Sequence, residues 1–242
     1  MLTQEFRRVV CVHEAGHAVV HALGGSLIYG VAVAPESSES WTYQGRKGGA
    51  LVDLWGVCEP TDFPVAAMHL AWDDDNFRYI ANKSGFNELV RRMAEAPRAG
   101  AARGKLSASE FKRRVRSDFT RAVRLQICGI LGGPIAESIY EGREFDAWNE
   151  DGWEDPGADM ARADGFARLL PYRGELEHAC AVTSEALRAP ETWAHVIALA
   201  DELERLGSMD SEAVADFLPR PLPDWPPSFA DNERATSAEA LG

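Results

Sequence analysis

Residues 3–23 carry apolar side chains at most positions, with a short polar group in the middle. Valine, alanine and leucine recur on every side of this segment, which predicts a helix that is buried nearly all round. Thr3 can cap its first turn, and Gly24 and Gly25 supply a stop. Residues 13–17 read His-Glu-Ala-Gly-His. Such polar groups are costly in a buried helix unless they are paired or bound to a metal.

The rest of the chain alternates short strand-like runs with longer helical patterns. Strands are predicted at 26–34 and 49–54, on either side of a polar, turn-rich stretch at 35–47. Helices are predicted at about 62–82, 86–96, 107–141, 157–170, 174–188, 190–206 and 210–218, and Ser107 or Ser109 can cap the long one. Loops are predicted at 98–105 and at the acidic, tryptophan-bearing stretch 144–156. The fold class predicted is α+β, mostly helical, with a small β-sheet beside the first helix.

The patterning also predicts how the chain is organised. We expect one domain over residues 1–218, with an elaboration at about 55–105, where the pattern is least regular. A proline-rich segment begins at Pro219, and residues 219–242 are expected to form a disordered tail.

Composition narrows the class of protein. A hydrophobic content of 45% with 26% charged residues is ordinary for a globular protein, and a net charge of −13 argues against nucleic-acid binding. No apolar run reaches the ~18 residues that a membrane span needs, and the N-terminus does not resemble a signal peptide. We therefore expect a cytoplasmic protein without a transmembrane segment. Neither a disulfide framework nor a cysteine zinc site is expected, because the four cysteines stand alone: Cys11, Cys58, Cys128 and Cys180.

Positive charge is concentrated in residues 91–124, which hold 11 Lys or Arg against three acidic residues. This segment is therefore +8 and the remainder of the chain −21. A basic strip can recruit an acidic partner or an anionic membrane surface. The simpler interpretation is a solvated helix face, and the sequence leaves both open.

The polar group of the first helix has the spacing of a metal site. On a helix, positions i and i+4 lie on one face, so His13 and His17 can both reach one metal ion. Glu14 between them can act on a metal-bound water. This arrangement is typical of a zinc hydrolase, most often a peptidase. The alternative is two core histidines whose hydrogen bonds are satisfied within the protein.

A catalytic zinc usually takes a third protein ligand, and several positions are candidates. Val20 and Leu23 occupy the places where the metzincin spacing needs glycine and histidine, so that class is excluded. Glu36 lies in a serine-rich loop, where a glutamate is usually solvated. His21 lies one further turn along the helix and drifts off the face that the first pair shares. Asp159 follows an acidic loop and opens a predicted helix, where it can either reach a metal or cap that helix.

Four segments, in the same order as in the family, resemble the peptidase domain of the FtsH-type AAA+ zinc metalloproteases. The first is the zinc-binding helix, with His-Glu-Ala-Gly-His-Ala at 13–18. The second is the predicted strand pair, 31–35 and 49–52, which is similar to the family's hairpin beside the active site. The third and fourth are Leu-Gly-Gly-Pro-Ile-Ala-Glu at 131–137 and Gly-Ala-Asp-Met-Ala-Arg-Ala at 157–163.

The resemblance implies a zinc metallopeptidase (a metalloendopeptidase) with Zn²⁺ as its cofactor and a polypeptide as its substrate. It implies that His13, His17 and Asp159 are the zinc ligands and that Glu14 is the general base. Glu137 would be a carboxylate that orients a ligand or the water. The family's hairpin carries an edge strand that is thought to hold the substrate in an extended form.

The chain also departs from the family. Pro134 replaces the family's arginine and Ser138 its second glutamate, and neither an ATPase module nor transmembrane helices are recognised. We therefore expect cleavage of flexible or unfolded polypeptides, with a separate ATPase as a possible partner and the oligomeric state undetermined. Two other functions remain open: a non-catalytic, zinc-stabilised module that binds peptides, and a zinc hydrolase acting on a non-peptide amide.

Overall fold

The computed structural model describes residues 2–39, 41–45, 50–52, 54–61, 63–95, 106–150 and 153–227, with the backbone alone at 50–52. Within these residues the chain forms two compact units. The first unit takes its residues from 1–62, 128–151 and 177–228, and the second from 63–127 and 152–176. The predicted loop 98–105 and the end of the predicted tail, from 228 onward, lie outside the described residues. The domain boundary at 218 stays a prediction.

The described chain is α+β and mostly helical, as the sequence predicts. The helices are α1 (Gln4–Leu23), α2 (Pro64–Ala67), α3 (Lys83–Glu95), α4 (Ala108–Tyr140), α5 (Asp159–Ala167), α6 (Glu175–Arg188), α7 (Pro190–Leu206) and α8 (Ser211–Ala215). The strands are β1 (Ile28–Val33), β2 (Thr42–Gln44), β3 (Ala50–Val52), β4 (Gly56–Pro60), β5 (Leu70–Asp73), β6 (Arg78–Ala81) and β7 (Ser208–Asp210). No helix in the described part of the chain is long and apolar enough to cross a membrane.

Helix α1 lies in the core of the first unit. The Thr3 hydroxyl accepts a hydrogen bond from the Phe6 amide at 3.2 Å, and Gly24 caps the other end. The helix packs against α7, β1 and β4. The prediction of a helix buried nearly all round is confirmed, since these side chains are fully buried: Cys11, Val12, Ala15, Ala18, Val19 and Val20.

The main sheet of the first unit differs from the predicted strand pair. Strand β1 is central, with β4 and β7 antiparallel on its two sides. The predicted pairing of 26–34 with 49–54 is wrong, because β3 pairs with β2 in a separate hairpin. Strand β2 of that hairpin lies within 35–47, which the sequence predicted to consist of turns. Strand β4 pairs with β1 because its Val57 and Cys58 lie opposite Ala32 and Val31 and extend the same sheet.

The predicted helix at 62–82 is also wrong. Only the single turn of α2 forms there, and β5 and β6 follow as an antiparallel hairpin. The Asp73 carboxylate accepts hydrogen bonds from the amides of Asp75 and Asn76, at 3.2 and 3.3 Å, which closes the turn. On one face of the hairpin Trp72 packs edge-on against Tyr79, with ring centroids 5.1 Å apart. A tight Asp-mediated turn therefore replaces the expected helix.

The later helices agree with the sequence patterns to within a few residues. Ser107 caps α4 as predicted, since its hydroxyl accepts a hydrogen bond from the Glu110 amide at 3.3 Å. The described residues of 144–156 form neither helix nor strand, in agreement with the predicted loop. The helix predicted at 210–218 is shorter, since β7 occupies 208–210 and α8 ends at Ala215.

The basic segment is only partly a solvated helix face. Lys112 and Arg114 are more than half exposed and pair with Glu95 and Asp118, whereas Arg124 lies inside the second unit. Arg124 donates to both carboxylate oxygens of Glu175, at 3.0 and 2.8 Å. The side chains of this pair are only 8% and 3% exposed. Arg124 therefore stabilises the core of its unit and does not belong to a surface strip.

Candidate metal centre

His13 and His17 project from the same face of α1, as the spacing predicts. Their Nε2 atoms lie 3.1 Å apart, and their rings are nearly perpendicular, with centroids 4.8 Å apart. His17 is buried, and the side chain of His13 is 23% exposed. The two Nε2 atoms therefore face each other, and solvent can reach them from the side of His13.

The opposite nitrogens of both rings are held by oxygen acceptors. His13 Nδ1 lies 3.0 Å from a carboxylate oxygen of Glu137, and His17 Nδ1 lies 2.9 Å from the carbonyl oxygen of Gly129. The Gly133 amide also points toward the same His17 atom, but at 3.2 Å this is the longer of the two contacts. Since a carboxylate or carbonyl oxygen accepts, the two shorter contacts make both Nδ1 atoms donors. In the neutral rings both Nε2 atoms then present lone pairs.

This arrangement is compatible with a metal ion, although it does not fix which metal. Two lone pairs facing each other at 3.1 Å repel unless a proton or a cation lies between them. Two ligands bound to one tetrahedral zinc at ~2.05 Å stand roughly 3.3 Å apart, close to the observed separation. A carboxylate or carbonyl oxygen on the second nitrogen is also the usual partner of a metal-binding histidine. The donor set therefore fits zinc.

Glycines on α4 make room for these imidazoles. A Cβ atom at Gly133 would lie 2.3 Å from His17 Nε2 and 2.6 Å from His13 Nε2. The glycine inside the motif itself makes room for the backbone of α4. A Cβ at Gly16 would lie 2.3 Å from the Gly132 carbonyl oxygen and 2.5 Å from Ala136 Cβ. The two helices thus touch backbone to backbone, which brings Glu137 within reach of His13.

Glu14 is buried beside the edge of the main sheet. Its side chain is close to Gly56 at the start of β4, where a Cβ would lie 2.5 Å from Glu14 Oε1 and 2.8 Å from Val10 Cγ1. Glu14 as a residue is only 7% exposed. A glycine is therefore required at this point of β4 for the carboxylate to keep its place.

Asp159 lies in the second unit, where it is the first residue of α5. The N-cap of that helix is Ala158, whose side chain makes no capping hydrogen bond. Asp159 is therefore not the N-cap residue that the sequence left open as an alternative. The Asp159 side chain is 20% exposed, and its carboxylate lies 3.7 Å from the Arg162 guanidinium. A carboxylate is in chemical type a metal ligand.

Glu36 and His21, the other two candidates for a third ligand, lie in surroundings that do not suit a metal ligand. Glu36 is exposed in the turn after β1, as expected for a solvated loop glutamate. His21 is 2% exposed and packs against Gly129, where a Cβ would lie 2.2 Å from the imidazole. His21 is therefore a core side chain of the helix contact and does not line an open cleft.

Glu137 connects His13 to the loop that follows α4. Arg143 lies 3.7 Å from the second oxygen of Glu137 and pairs more closely with Glu141 at 2.7 Å and Glu150 at 2.6 Å. These pairs stabilise the Arg143 guanidinium and raise its pKa, chiefly through Glu150. The loop 144–150 is thereby tied to the carboxylate that positions a histidine of the pair.

The cysteines do not contribute to the site. Burial raises the pKa of the Cys11 thiol to about 11 and that of Cys180 to about 12. Thiols with such pKa values are protonated at neutral pH, and a metal ligand must be a thiolate. Cys11 and Cys128 are fully buried in the core.

Sequence reasoning missed the backbone partners of the site. The Gly129 carbonyl and the spaces at Gly133 and Gly56 were not identified as parts of it. Gly56 gave no signal, since only the pairing of β4 with β1 brings it to Glu14.

No protein-family model matches the chain, and neither does any curated protein sequence. The resemblance to the FtsH-type peptidase domain therefore depends on the four motif segments alone.

Proposed function

We propose that this chain is a zinc metallopeptidase with a zincin-like fold of the FtsH type. It hydrolyses peptide bonds in flexible or unfolded polypeptides, with Glu14 as the general base. The observation that carries the proposal is the pair of Nε2 atoms 3.1 Å apart, each ring being held from behind by an oxygen acceptor. With both Nδ1 atoms donating, a metal ion between the Nε2 atoms satisfies both lone pairs at once.

The proposed ligand set is completed by Asp159. His13, His17 and Asp159 offer two imidazole nitrogens and one carboxylate oxygen, and sets of two histidines and one carboxylate hold catalytic zinc. A three-ligand set leaves one position for water or substrate, whereas structural zinc sites are usually closed by four protein ligands. Two of the three residues are only half-buried, in keeping with an accessible site.

The chain's own groups then have separate tasks. Zinc held by this set would supply Lewis acidity, which lowers the pKa of a water molecule and polarises the substrate carbonyl. Glu14 takes a proton from the attacking water on its carboxylate and delivers it to the leaving amine. Glu137 binds His13 Nδ1 and so fixes the tautomer and orientation of the ring, in which the Nε2 lone pair points toward His17. Burial of Glu14 beside Gly56 limits its movement.

A peptide is favoured over other amides because of the strand next to Glu14. Strand β4 is at one edge of the sheet β4-β1-β7, and its first residue lies against the Glu14 side chain. An extended chain can add to such an edge through main-chain hydrogen bonds. In this chain β4, which pairs with β1, would take the part of the edge strand that the resemblance implies.

The test is hydrolysis of an unstructured peptide library by zinc-loaded wild type and by Glu14→Gln, with zinc content measured on both. The proposal expects cleavage by the wild type and at least a 100-fold loss in the variant at equal zinc content, since a positioned base contributes ~10²–10⁴-fold. Zinc bound equally by both proteins, with no cleavage by either, would refute the peptidase and favour a zinc-stabilised module that binds peptides.

A further inference from the structure

A cavity of about 540 Å³ lies in the first unit between the N-terminal turns of α1 and the end of α4. Its lining combines carboxylates, one guanidinium, one aromatic ring and one aliphatic side chain. These residues line it: Gln4, Glu5, Arg8, Val9, Tyr140, Glu141 and Glu204. Nothing in the proposed chemistry uses these side chains.

The cavity lies along the same two helices, α1 and α4, that carry the histidine pair and its partners. Positions 5, 9, 13 and 17 form one i, i+4 row on α1, and 129, 133, 137 and 141 form one on α4. His17 contacts Gly129 and His13 contacts Glu137, so the two rows run antiparallel. The next level along both rows brings Val9 opposite Glu141, and that is where the cavity lies. The residues of α1 that line it lie four to nine positions before His13, which is about 6–14 Å along the helix axis.

The charge of the cavity favours a cation. Arg8 is already neutralised, since its guanidinium lies 2.8 Å from Asp201 and 3.2 Å from Glu204. Glu5 and Glu141 add two more carboxylates, and Glu141 shares Arg143 with Glu150. Taken with these partners, the acidic groups outnumber the two arginines.

The remaining lining suits the stem of a long basic side chain. Tyr140 is 42% exposed, and its ring already lies 5.7 Å from the Arg8 guanidinium carbon. Aromatic faces attract cations, and long basic side chains bury their methylene stems on apolar surface such as Val9 offers. A neutral side chain would keep the apolar contact but lose the attraction to the carboxylates, and an acidic side chain would be repelled by them.

We propose that this cavity is a subsite that binds a lysine or arginine side chain of the polypeptide substrate, within about two to four residues of the bond cleaved. The inference rests on the proposed function. An extended chain advances ~3.3 Å per residue, so a distance of about 6–14 Å corresponds to two to four residues. Glu5 is the specificity residue that the proposal singles out.

Binding is measured first, because it does not require turnover. Zinc-loaded Glu14→Gln protein is titrated with fluorescent unstructured peptides that carry lysine, norleucine or glutamate at one scanned position, and Kd is read by anisotropy. Lysine is expected to bind about fivefold more tightly than norleucine at one position, with glutamate weakest. The preference should shrink at high salt, because a half-exposed charge contact is screened.

A charge reversal with a matched control locates the preference. Glu5→Lys is expected to abolish it, whereas Glu212→Lys should leave it intact. Both residues are glutamates in the first turn of a helix, and only Glu5 lines the cavity. Equal affinity for the three peptides, no peptide binding, or a lysine preference that survives Glu5→Lys would overturn the inference. Cleavage by the wild type without a lysine preference would overturn the subsite alone, whereas a preference without any cleavage would overturn the peptidase proposal alone.

Discussion

Replacing Gly133 by alanine is a direct physical test of the proposed metal centre. The new Cβ would lie 2.3 Å from His17 Nε2 and 2.6 Å from His13 Nε2, whereas ordinary contacts begin at about 3.4 Å. The imidazoles must therefore move by roughly 1 Å. They cannot do so without lengthening the hydrogen bonds to Gly129 and Glu137.

The expected result is a loss of zinc affinity with little loss of folding stability. Metal–ligand distances tolerate about 0.2 Å, and disturbing one outer partner of a ligand already costs ~10–100-fold. We expect Gly133→Ala to weaken zinc binding at least 100-fold, measured by competition with a chromophoric chelator. Urea unfolding of the metal-free protein should change by no more than about 1 kcal/mol, because alanine is favoured in a helix by about that amount.

Gly132→Ala is the matched comparison on the same helix. Its Cβ would lie 2.6 Å from the Gly16 carbonyl oxygen, which is backbone and cannot rotate away. Gly132→Ala should therefore lower the free energy of unfolding, whereas Gly133→Ala should not. Zinc affinity within twofold of wild type in Gly133→Ala would refute the placement of the metal between the two Nε2 atoms.

Three further substitutions test separate parts of the account. Gly56→Ala should lower kcat at least tenfold while zinc stays bound, since its Cβ would lie 2.5 Å from Glu14 Oε1; unchanged single-turnover rates would contradict this role. Glu175→Ala leaves the buried Arg124 guanidinium without its carboxylate and should cost about 3–5 kcal/mol in urea unfolding, and a cost below 1 kcal/mol would count against the pair. Thr3→Ala removes the capping hydroxyl of α1 and should cost about 1 kcal/mol by the same assay, with Thr3→Ser close to wild type.

The local parts of the fold and the site are predictable from sequence. The i, i+4 spacing of His13 and His17 on a buried helix fixes the face on which they meet, and their Nε2 atoms do meet. From residue 83 onward the observed helices begin and end close to the bounds predicted from apolar periodicity. The reason is that each of these helices buries at least one apolar face. Glu137 could be identified from its motif, and it does hold His13.

The non-local parts are not predictable from one sequence. The choice of β4 over β3 as the partner of β1 depends on which strand completes the sheet, which no local pattern encodes. The segment 62–82 contains apolar residues compatible with both periods, and only the Asp73 turn decides for a hairpin. The need for glycine at Gly56 arises from that same pairing, so it could not be predicted before the sheet was known.

The most direct measurement is an anomalous-difference map at the zinc absorption edge, from crystals of the zinc-loaded protein. The account predicts one peak about 2.1 Å from Nε2 of both His13 and His17, with an Asp159 carboxylate oxygen as the third protein ligand and one position left for water. Absence of a peak between the two imidazoles after zinc loading, or a zinc closed by four protein ligands, would contradict it.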